Sequence, residues 1–274
     1  MTTRTTATGA GLGEQTPGPA PAGHAVAGGR PPGPPRPPGP SGPSGPSGVL
    51  DALGTVRDPE LDEPITSLGF VASCTVSPEG NAQVRLRLPT YFCAPNFAFL
   101  MVADAYDAVS ALPGVRSTEI VLEDHFASDA INGGVAAHAG FAQSFDGEAV
   151  GELHELRVGF LRKAVMAGTD LVCRPLIAGG TDPSRLPGMV LGDLPASREL
   201  ERLRQRRAEL GLPGGDDAPL LIDARTGAPV SAEAMPLHLR KARTTRISIE
   251  SNGSICRGML QYRYDTQGQG EEDQ

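Results

Sequence analysis

The stretch VRLRLPTYFCAPNFAFLMVADAYDAV, residues 84–109, joins a strand pattern to an apolar helix through a single cysteine. Apolar and polar residues alternate over residues 84–88, which predicts a strand with one buried face and one solvated face. Apolar residues then recur at helical spacing, which predicts a helix from about residue 95 to residue 111. Cys93 lies at the junction. It is either a packing residue or a thiolate stabilised by the backbone N–H groups and dipole of the helix that follows.

The sequence around this stretch predicts a small α+β sandwich. Residues 49–57 form a helix that ends at Asp58, because a residue before proline avoids helical angles. A hairpin follows, with strands at 70–76 and 82–88 joined by a turn at 78–81. A strand at 116–122 comes after the helix. The order helix, strand, strand, helix, strand predicts one sheet with helices covering one face.

The second half of the chain predicts a mainly helical segment with short strands. Residues 148–173 have the apolar spacing of a long helix, and a second helix is predicted at about 196–210. Short hairpins are predicted around Arg225–Gly227 and around Asn252–Gly253, since Asn-Gly is a strong turn signal. The arginine cluster at 202–207 is interpreted as a solvated helix face.

Both ends of the chain have compositions typical of disorder. Residues 1–48 contain 12 Pro and 12 Gly, so this arm has too little apolar surface to offset the entropy of ordering. Residues 265–274 form an acidic tail that is predicted to be disordered. We find no signal peptide and no membrane span, and the four cysteines form no CxxC pair. These features predict a cytoplasmic protein with free thiols.

Charge and motifs exclude several functions. Residues 49–140 carry four Arg and no Lys against twelve Asp or Glu, which argues against a nucleic-acid partner. The chain has no GxSxG, Walker A, GxGxxG or HExxH motif. We therefore expect a non-enzymatic protein that binds neither nucleic acid nor membrane.

An ordered set of motifs gives the chain a family resemblance. DPEL at 58–61, SLGF at 67–70, RLRLPTYFC at 85–93 and LPGV at 112–115 resemble the MIP18-like (DUF59) family of iron–sulfur cluster assembly factors. Cys93 matches the family cysteine. The loop before it departs from the family pattern, because Tyr91-Phe92 stand where Pro-Gly is usual. The resemblance implies a MIP18-like domain at 49–130 and leaves residues 141–264 as an extension.

The extension resembles that of actinobacterial members encoded beside soluble di-iron monooxygenases. This resemblance implies a maturation factor that assists iron–sulfur or di-iron centre assembly in a client metalloenzyme, expected to be a monooxygenase. Its cargo would be iron or an iron–sulfur cluster, held transiently. Its partners would be the client, other assembly proteins or a second copy in a homodimer. The alternative is a metal-independent folding adaptor for a monooxygenase subunit.

Four residues are candidate metal ligands. Cys93 is the first, because a thiolate binds iron. Asp58 and Glu60 are either hard oxygen ligands and partners of the Cys93 loop, or solvated carboxylates at a helix stop. His125 follows two acidic residues at a strand end, a combination that suits iron and also fits a solvated turn. Two further cysteines, Cys173 and Cys256, lie in apolar settings and are interpreted as buried.

Overall fold

The structure is a computed structural model that describes residues 45–145 and 153–268. It mixes helices and strands, which confirms the α+β class. The helices are α1 (Pro46–Leu53), α2 (Pro95–Ser110), α3 (Ser128–Ala136), α4 (Phe141–Ser144), α5 (His154–Ala178), α6 (Arg198–Glu209) and α7 (Met235–Gly268). The strands are β1 (Arg57–Asp58), β2 (Glu63–Pro64), β3 (Val71–Val76), β4 (Asn81–Leu86) and β5 (Ser117–Leu122). We call residues 45–145 the sheet region and residues 153–268 the helical region.

Most of the predicted arm and acidic tail lies outside the described residues. Helix α1 begins at Pro46, within the last residues of the predicted arm, and α7 continues to Gly268 in the predicted tail. The first residues of the predicted helix at 148–173 also lie outside the described ranges. None of the described helices is long and apolar enough to cross a membrane.

The main sheet has three strands in the order β3-β4-β5. Strands β3 and β4 pair antiparallel as the predicted hairpin, and β5 pairs parallel to β4 after the chain has passed through α2. Val84, Leu86 and Leu88 are buried, as the alternation predicts. They face α1 and α2 across a core that also contains Leu53 and Val102. The helix-strand-strand-helix-strand order of the sequence prediction is confirmed for these main elements.

The hairpin turn depends on Gly80. Its φ of 87° lies in the left-handed region, which residues other than glycine rarely adopt. A Cβ atom there would lie 2.3 Å from the carbonyl oxygen of Gly114. The Gly80 carbonyl in turn accepts a hydrogen bond from the backbone N–H of Arg116 at 2.8 Å. The turn therefore packs against the start of β5 and fixes the sheet register.

Helix α3 was not predicted, because its Asn132-Gly133-Gly134 sequence indicates a break. The Asn132 side chain bonds both the N–H and the carbonyl of Leu122, at 2.9 and 3.1 Å. Gly134 has no room for a side chain, since a Cβ there would lie 1.9 Å from the Ser144 hydroxyl oxygen. Both residues thus serve packing of the helix against β5 and α4.

The helical region has its own apolar core, formed by α5, α6 and the segments that precede and follow α6. The predicted helix at 196–210 is present as α6. The interpretation of its arginine cluster as a solvated face is wrong, since Arg206 and Arg207 are buried. The Arg207 guanidinium donates hydrogen bonds to the carbonyls of Pro219 and Leu220, at 2.8 and 2.6 Å. Arg206 pairs with Asp62 of the sheet region at 2.6 Å.

The predicted turn at Arg225–Gly227 is present, and the predicted hairpin at Asn252–Gly253 is wrong. Ile222 bridges Pro229 across the first turn, where Gly227 has a φ of 75°. Residues 252 and 253 instead lie inside α7. Local turn preference is overridden there by packing, because α7 contacts α5 along much of its length and also crosses the sheet region.

The two regions are joined by helix packing. The rings of Phe97 on α2 and Phe160 on α5 meet edge to face, with centroids 5.0 Å apart. The Arg157 guanidinium binds both carboxylate oxygens of Asp104 at 2.8 Å. The apolar face of the long helix thus docks on its own chain, as expected of a helix with so many apolar residues on one side.

Candidate functional site

Cys93 lies in a short loop between β4 and α2. Helix α2 begins two residues later with Pro95, which suits the first helical position because its missing N–H has no helical partner there. The Cys93 thiol is half-buried and lies 3.3 Å from the Thr90 hydroxyl oxygen. The structure therefore places Cys93 at the N-terminus of α2, as predicted, with its side chain half-buried against the core.

His125 holds the backbone of the Cys93 loop. Its Nε2 donates a hydrogen bond to the Cys93 carbonyl at 2.7 Å, and its Nδ1 accepts one from the Ala127 N–H at 3.1 Å. These two bonds require the neutral ring with its proton on Nε2. Burial lowers the pKa of His125, the charge of Arg263 lowers it further, and the bond to Cys93 opposes both effects.

Both ring nitrogens of His125 are therefore occupied, and the ring is buried. In this arrangement the side chain positions the Cys93 loop and offers no lone pair to a metal. The metal role predicted for His125 stays a prediction that requires the ring to exchange one of these bonds.

Asp58 closes the loop between β1 and β2. Its Oδ1 accepts hydrogen bonds from the N–H groups of Glu60 and Leu61, at 2.9 and 2.8 Å. Burial raises the pKa of Asp58 to about 6, against the lowering effect of these two bonds, and the charges of Glu60 and Glu63 raise it further. One Asp58 oxygen is thus used for the turn. The alternative of a solvated carboxylate at a helix stop is wrong for Asp58, because the residue is buried and belongs to β1, and α1 ends earlier, at Leu53. The oxygen-ligand role of Asp58 and Glu60 stays a prediction.

The sequence did not predict that Cys256 lies near the Cys93 loop. This cysteine lies on α7, far along the chain, and its half-buried thiol packs against the same core as Cys93. Burial raises the pKa of Cys256 to about 11, and the negative charges of Asp58, Cys93 and Glu60 contribute to that rise. No local motif marks this residue, so only the position of α7 could reveal it. Cys173 is deeply buried in the helical core, as predicted, whereas the burial predicted for Cys256 is wrong, since that residue is only half-buried.

Three exposed aromatic rings surround the Cys93 loop. Tyr91, Phe92 and Phe126 are 47, 76 and 49% exposed, although aromatic side chains of this size are usually covered. Their ring centroids lie 5.0 to 6.3 Å apart, so they form one cluster. We call it the aromatic cluster. Tyr91 and Phe92 are among the residues at which the loop departs from the pattern of the family that the sequence resembles, together with Pro89 and Ala94.

Within residues 45–145 and 153–268, no group of three or more His, Cys, Asp or Glu side chains converges to hold a metal ion. Asp58, Glu60 and Cys93 each influence the pKa of Cys256, so each lies within electrostatic range of that thiol. His125 contributes through the Cys93 backbone. The described arrangement can hold a loop rigidly beside one or two thiols, with further ligands to come from elsewhere.

Comparison with known proteins defines the class. The model of a family described as iron–sulfur cluster assembly protein matches residues 47–122. An uncharacterised protein of Methanocaldococcus jannaschii is 34% identical over 84 residues, which cover 31% of this chain and 86% of that protein. The chain therefore belongs to the iron–sulfur cluster assembly protein family, and the matched segment contains β1 to β5 and Cys93.

A second relative is an iron–sulfur cluster carrier protein of Mycobacterium leprae. It is 35% identical over 75 residues, which cover 27% of this chain and only 19% of that longer protein. No solved structure matches the chain. Family membership supports a role in iron–sulfur cluster assembly.

Proposed function

We propose that the chain is a non-enzymatic maturation factor that assists iron–sulfur or di-iron centre assembly in a client metalloenzyme. The observation that carries the proposal is the placement of Cys93 within the family segment. Its loop is fixed through the 2.7 Å bond from His125, while the cysteine itself is only half-buried. The cytoplasm is the proposed location.

The cargo is iron or an iron–sulfur cluster, held transiently. A cluster is usually bound by four protein ligands, and the described residues bring together no group of three. A binding site with too few ligands of its own favours transfer over storage, because a partner must complete the coordination. That partner is the client, another assembly protein or a second copy in a homodimer.

The proposed client is a monooxygenase. The support is the resemblance of the extension, residues 141–264, to that of family members encoded beside soluble di-iron monooxygenases. In this proposal residues 49–130 form the MIP18-like domain that handles the metal. The extension packs on that domain through Arg157 and Phe160 and adds to the surface that a client can meet.

The aromatic cluster favours a second candidate, a metal-independent adaptor for a monooxygenase subunit. Exposed Tyr and Phe side chains are typical of protein interfaces, and this cluster needs no metal to bind an apolar surface. In this case the cysteine would be a bystander beside the docking residues. The two candidates differ in whether Cys93 is needed for metal content of the client.

The test is to express the full chain with an affinity tag in its native host and analyse the co-purified partner for iron. The variant is Cys93→Ser, and the matched control is Cys74→Ser, since Cys74 is half-buried on β3 within the same region. The proposal expects the Cys93 variant to fold and to yield a partner that has lost most of its iron, with the control unchanged.

Two other outcomes are informative. A fully metallated partner bound by the Cys93 variant would reject the maturation role and favour the adaptor. Loss of the partner on Phe92→Ser, with iron content of the free client unchanged in the same cells, would also favour the adaptor. Normal circular dichroism of each variant ensures that the comparison concerns folded protein.

A further inference from the structure

Helix α7 crosses the part of the sheet region that contains the family motif. The Asn252 amide donates to a Glu60 carboxylate oxygen at 3.2 Å, and Arg257 donates to Glu63 at 2.8 Å. Each anchor joins the late part of α7 to the loop that begins at Asp58. The helix therefore lies against this loop along more than one turn.

Cys256 lies on the inward face of α7. Asn252, Cys256 and Leu260 are spaced by four residues, so their side chains lie on one side of the helix. Leu260 is buried, and a Cβ atom on Gly69 would lie 3.2 Å from its Cδ2. Because its two neighbours on this face both contact the sheet region, Cys256 points toward it as well. It packs against the core that Cys93 also contacts.

The far end of α7 is bound to the segments on both sides of Cys93. The Arg263 guanidinium donates to the carbonyl of Leu88 at 3.1 Å and to that of Asp124 at 2.7 Å. Leu88 precedes the Cys93 loop, and Asp124 precedes His125, which bonds the Cys93 backbone. Cys256 thus lies between the anchors at the Asp58 loop and the anchors at the Cys93 loop.

We propose that Cys93 and Cys256 form a two-thiolate site that binds iron at the edge of an iron–sulfur cluster. The inference rests on the proposed function and adds a ligand from α7, outside the family segment. Two thiolates from one chain leave further iron positions for a donor or acceptor protein. Such a half-site suits delivery, since neither partner alone supplies the full set of ligands.

The surrounding charges suit a cation. Glu60 accepts a hydrogen bond from Asn252, one turn before Cys256 on the same face of α7, and Asp58 holds the backbone N–H of Glu60. The same negative groups attract an iron ion, and a bound metal deprotonates a coordinating thiol.

Metal binding at the two thiols is a ligand exchange and needs no redox step. Two Fe–S(thiolate) bonds form, the thiol protons are released to the buffer, and solvent or sulfur ligands on the iron are displaced. No electron is transferred, so the cluster keeps the oxidation state in which it was delivered. Metal affinity should rise with pH because protons are released.

The first test uses Co²⁺ as the probe with the full chain, kept anaerobic and reduced. Thiolate ligands give Co²⁺ a near-ultraviolet charge-transfer band, and each thiolate adds to its intensity. We expect the band to fall to about half or less in Cys93→Ser and in Cys256→Ser, since each removes one of two soft ligands. The controls Cys74→Ser and Cys173→Ser should keep the band of the unaltered chain.

The second test measures proximity without metal. A short bis-alkylating reagent such as dibromobimane should cross-link Cys93 to Cys256 in the Cys74→Ser/Cys173→Ser chain, which mass spectrometry of the linked peptides identifies. This measurement also covers the case in which Cys256→Ser does not fold. Single alkylation of both cysteines after saturating reagent, with no linked peptide, would overturn the pairing.

The failure of this inference and that of the proposed function are distinguishable. If Cys256→Ser keeps the full Co²⁺ band while Cys93→Ser loses it, Cys256 is a packing residue and the maturation role of Cys93 still stands. If neither substitution changes the band, the two-thiolate site is rejected, and the client iron measurement decides the proposed function separately.

Discussion

The sheet region and the helical region both bury polar side chains. The hydrogen bonds of these side chains have different roles in the two regions. In the helical region Arg207 is fully buried, and its guanidinium donates hydrogen bonds to carbonyl oxygens of the segment that follows α6. A charged side chain thus joins α6 to that segment. In the sheet region Asp58 and His125 are buried around loops near Cys93. The first arrangement stabilises a fold, and the second positions a thiol.

The largest difference should appear in thiol reactivity. Cys173 is 1% exposed, and burial raises its pKa to about 12, with a further rise from Asp170. It should react only when the helical core opens, whereas the half-buried Cys93 reacts in the folded chain. We expect alkylation of Cys93 to be faster by about 1000-fold or more, since core opening costs several kcal/mol. Time-resolved mass spectrometry of the labelled peptides measures both rates, and similar rates would remove the contrast between the regions.

Arg207→Ala should give the largest loss of stability. It leaves the carbonyls of Pro219 and Leu220 without donors and opens a cavity, which we expect to cost about 4 kcal/mol in unfolding free energy. Urea unfolding of the full chain measures it. The control is Arg204→Ala, which removes an ion pair to the 87% exposed side chain of Asp216 and one hydrogen bond to the carbonyl of Gly214, so it should cost about 1–2 kcal/mol. Equal effects of the two substitutions would show that the buried guanidinium is not the link.

Leu260→Ala should cost about 2–3 kcal/mol, because it empties the buried contact between α7 and Gly69. It should also loosen α7 and weaken cross-linking of Cys256 to Cys93. Leu237→Ala is the control on the same helix, since Leu237 is 53% exposed. An unchanged unfolding free energy for Leu260→Ala would indicate that α7 does not depend on the sheet region.

Asp58→Asn should have the smallest effect and the opposite sign at neutral pH. Burial raises the pKa of Asp58 to about 6, so the folded chain holds its proton more tightly than the unfolded chain does. The stabilisation from that proton is complete below about pH 4 and is lost as the pH rises through about 6. Asn keeps an oxygen for the two backbone bonds without a charge.

The Asn variant should therefore be more stable than the unaltered chain at pH 7, by up to about 2 kcal/mol. This advantage should vanish near pH 4, where Asp58 is protonated. Urea unfolding of both chains across this range gives the difference. An advantage that does not depend on pH would mean that the buried charge is not its cause.

Sequence patterns predicted the sheet region well because its signals are local. The alternation at Val84 and Leu86 and the helical spacing after Cys93 each reflect one element packing on one core. Asn132 and Gly134 misled the prediction, since their polar and small side chains serve contacts with Leu122 and Ser144 that no local pattern shows.

Prediction failed most where distant segments meet. Asn252-Gly253 is a turn signal on its own, but Asn252 contacts Glu60 from within a helix. The arginines of α6 looked solvated because their carbonyl and carboxylate partners lie elsewhere in the chain. Cys93 was found from its position before a helix, whereas Cys256 could not be, because only the path of α7 brings it near.

The position of α7 also sets an order for synthesis. More than half of the chain separates Cys93 from Cys256, so the ribosome completes the sheet region long before it makes the helix that crosses it. Domains fold as they emerge, from the N-terminal side first. A nascent chain can thus present Cys93 alone, and the proposed two-thiolate site is complete only after α7 has left the ribosome. Chains cut short before α7 would be unable to load cargo at that site. Cargo loading would thus be restricted to chains whose synthesis is complete through α7.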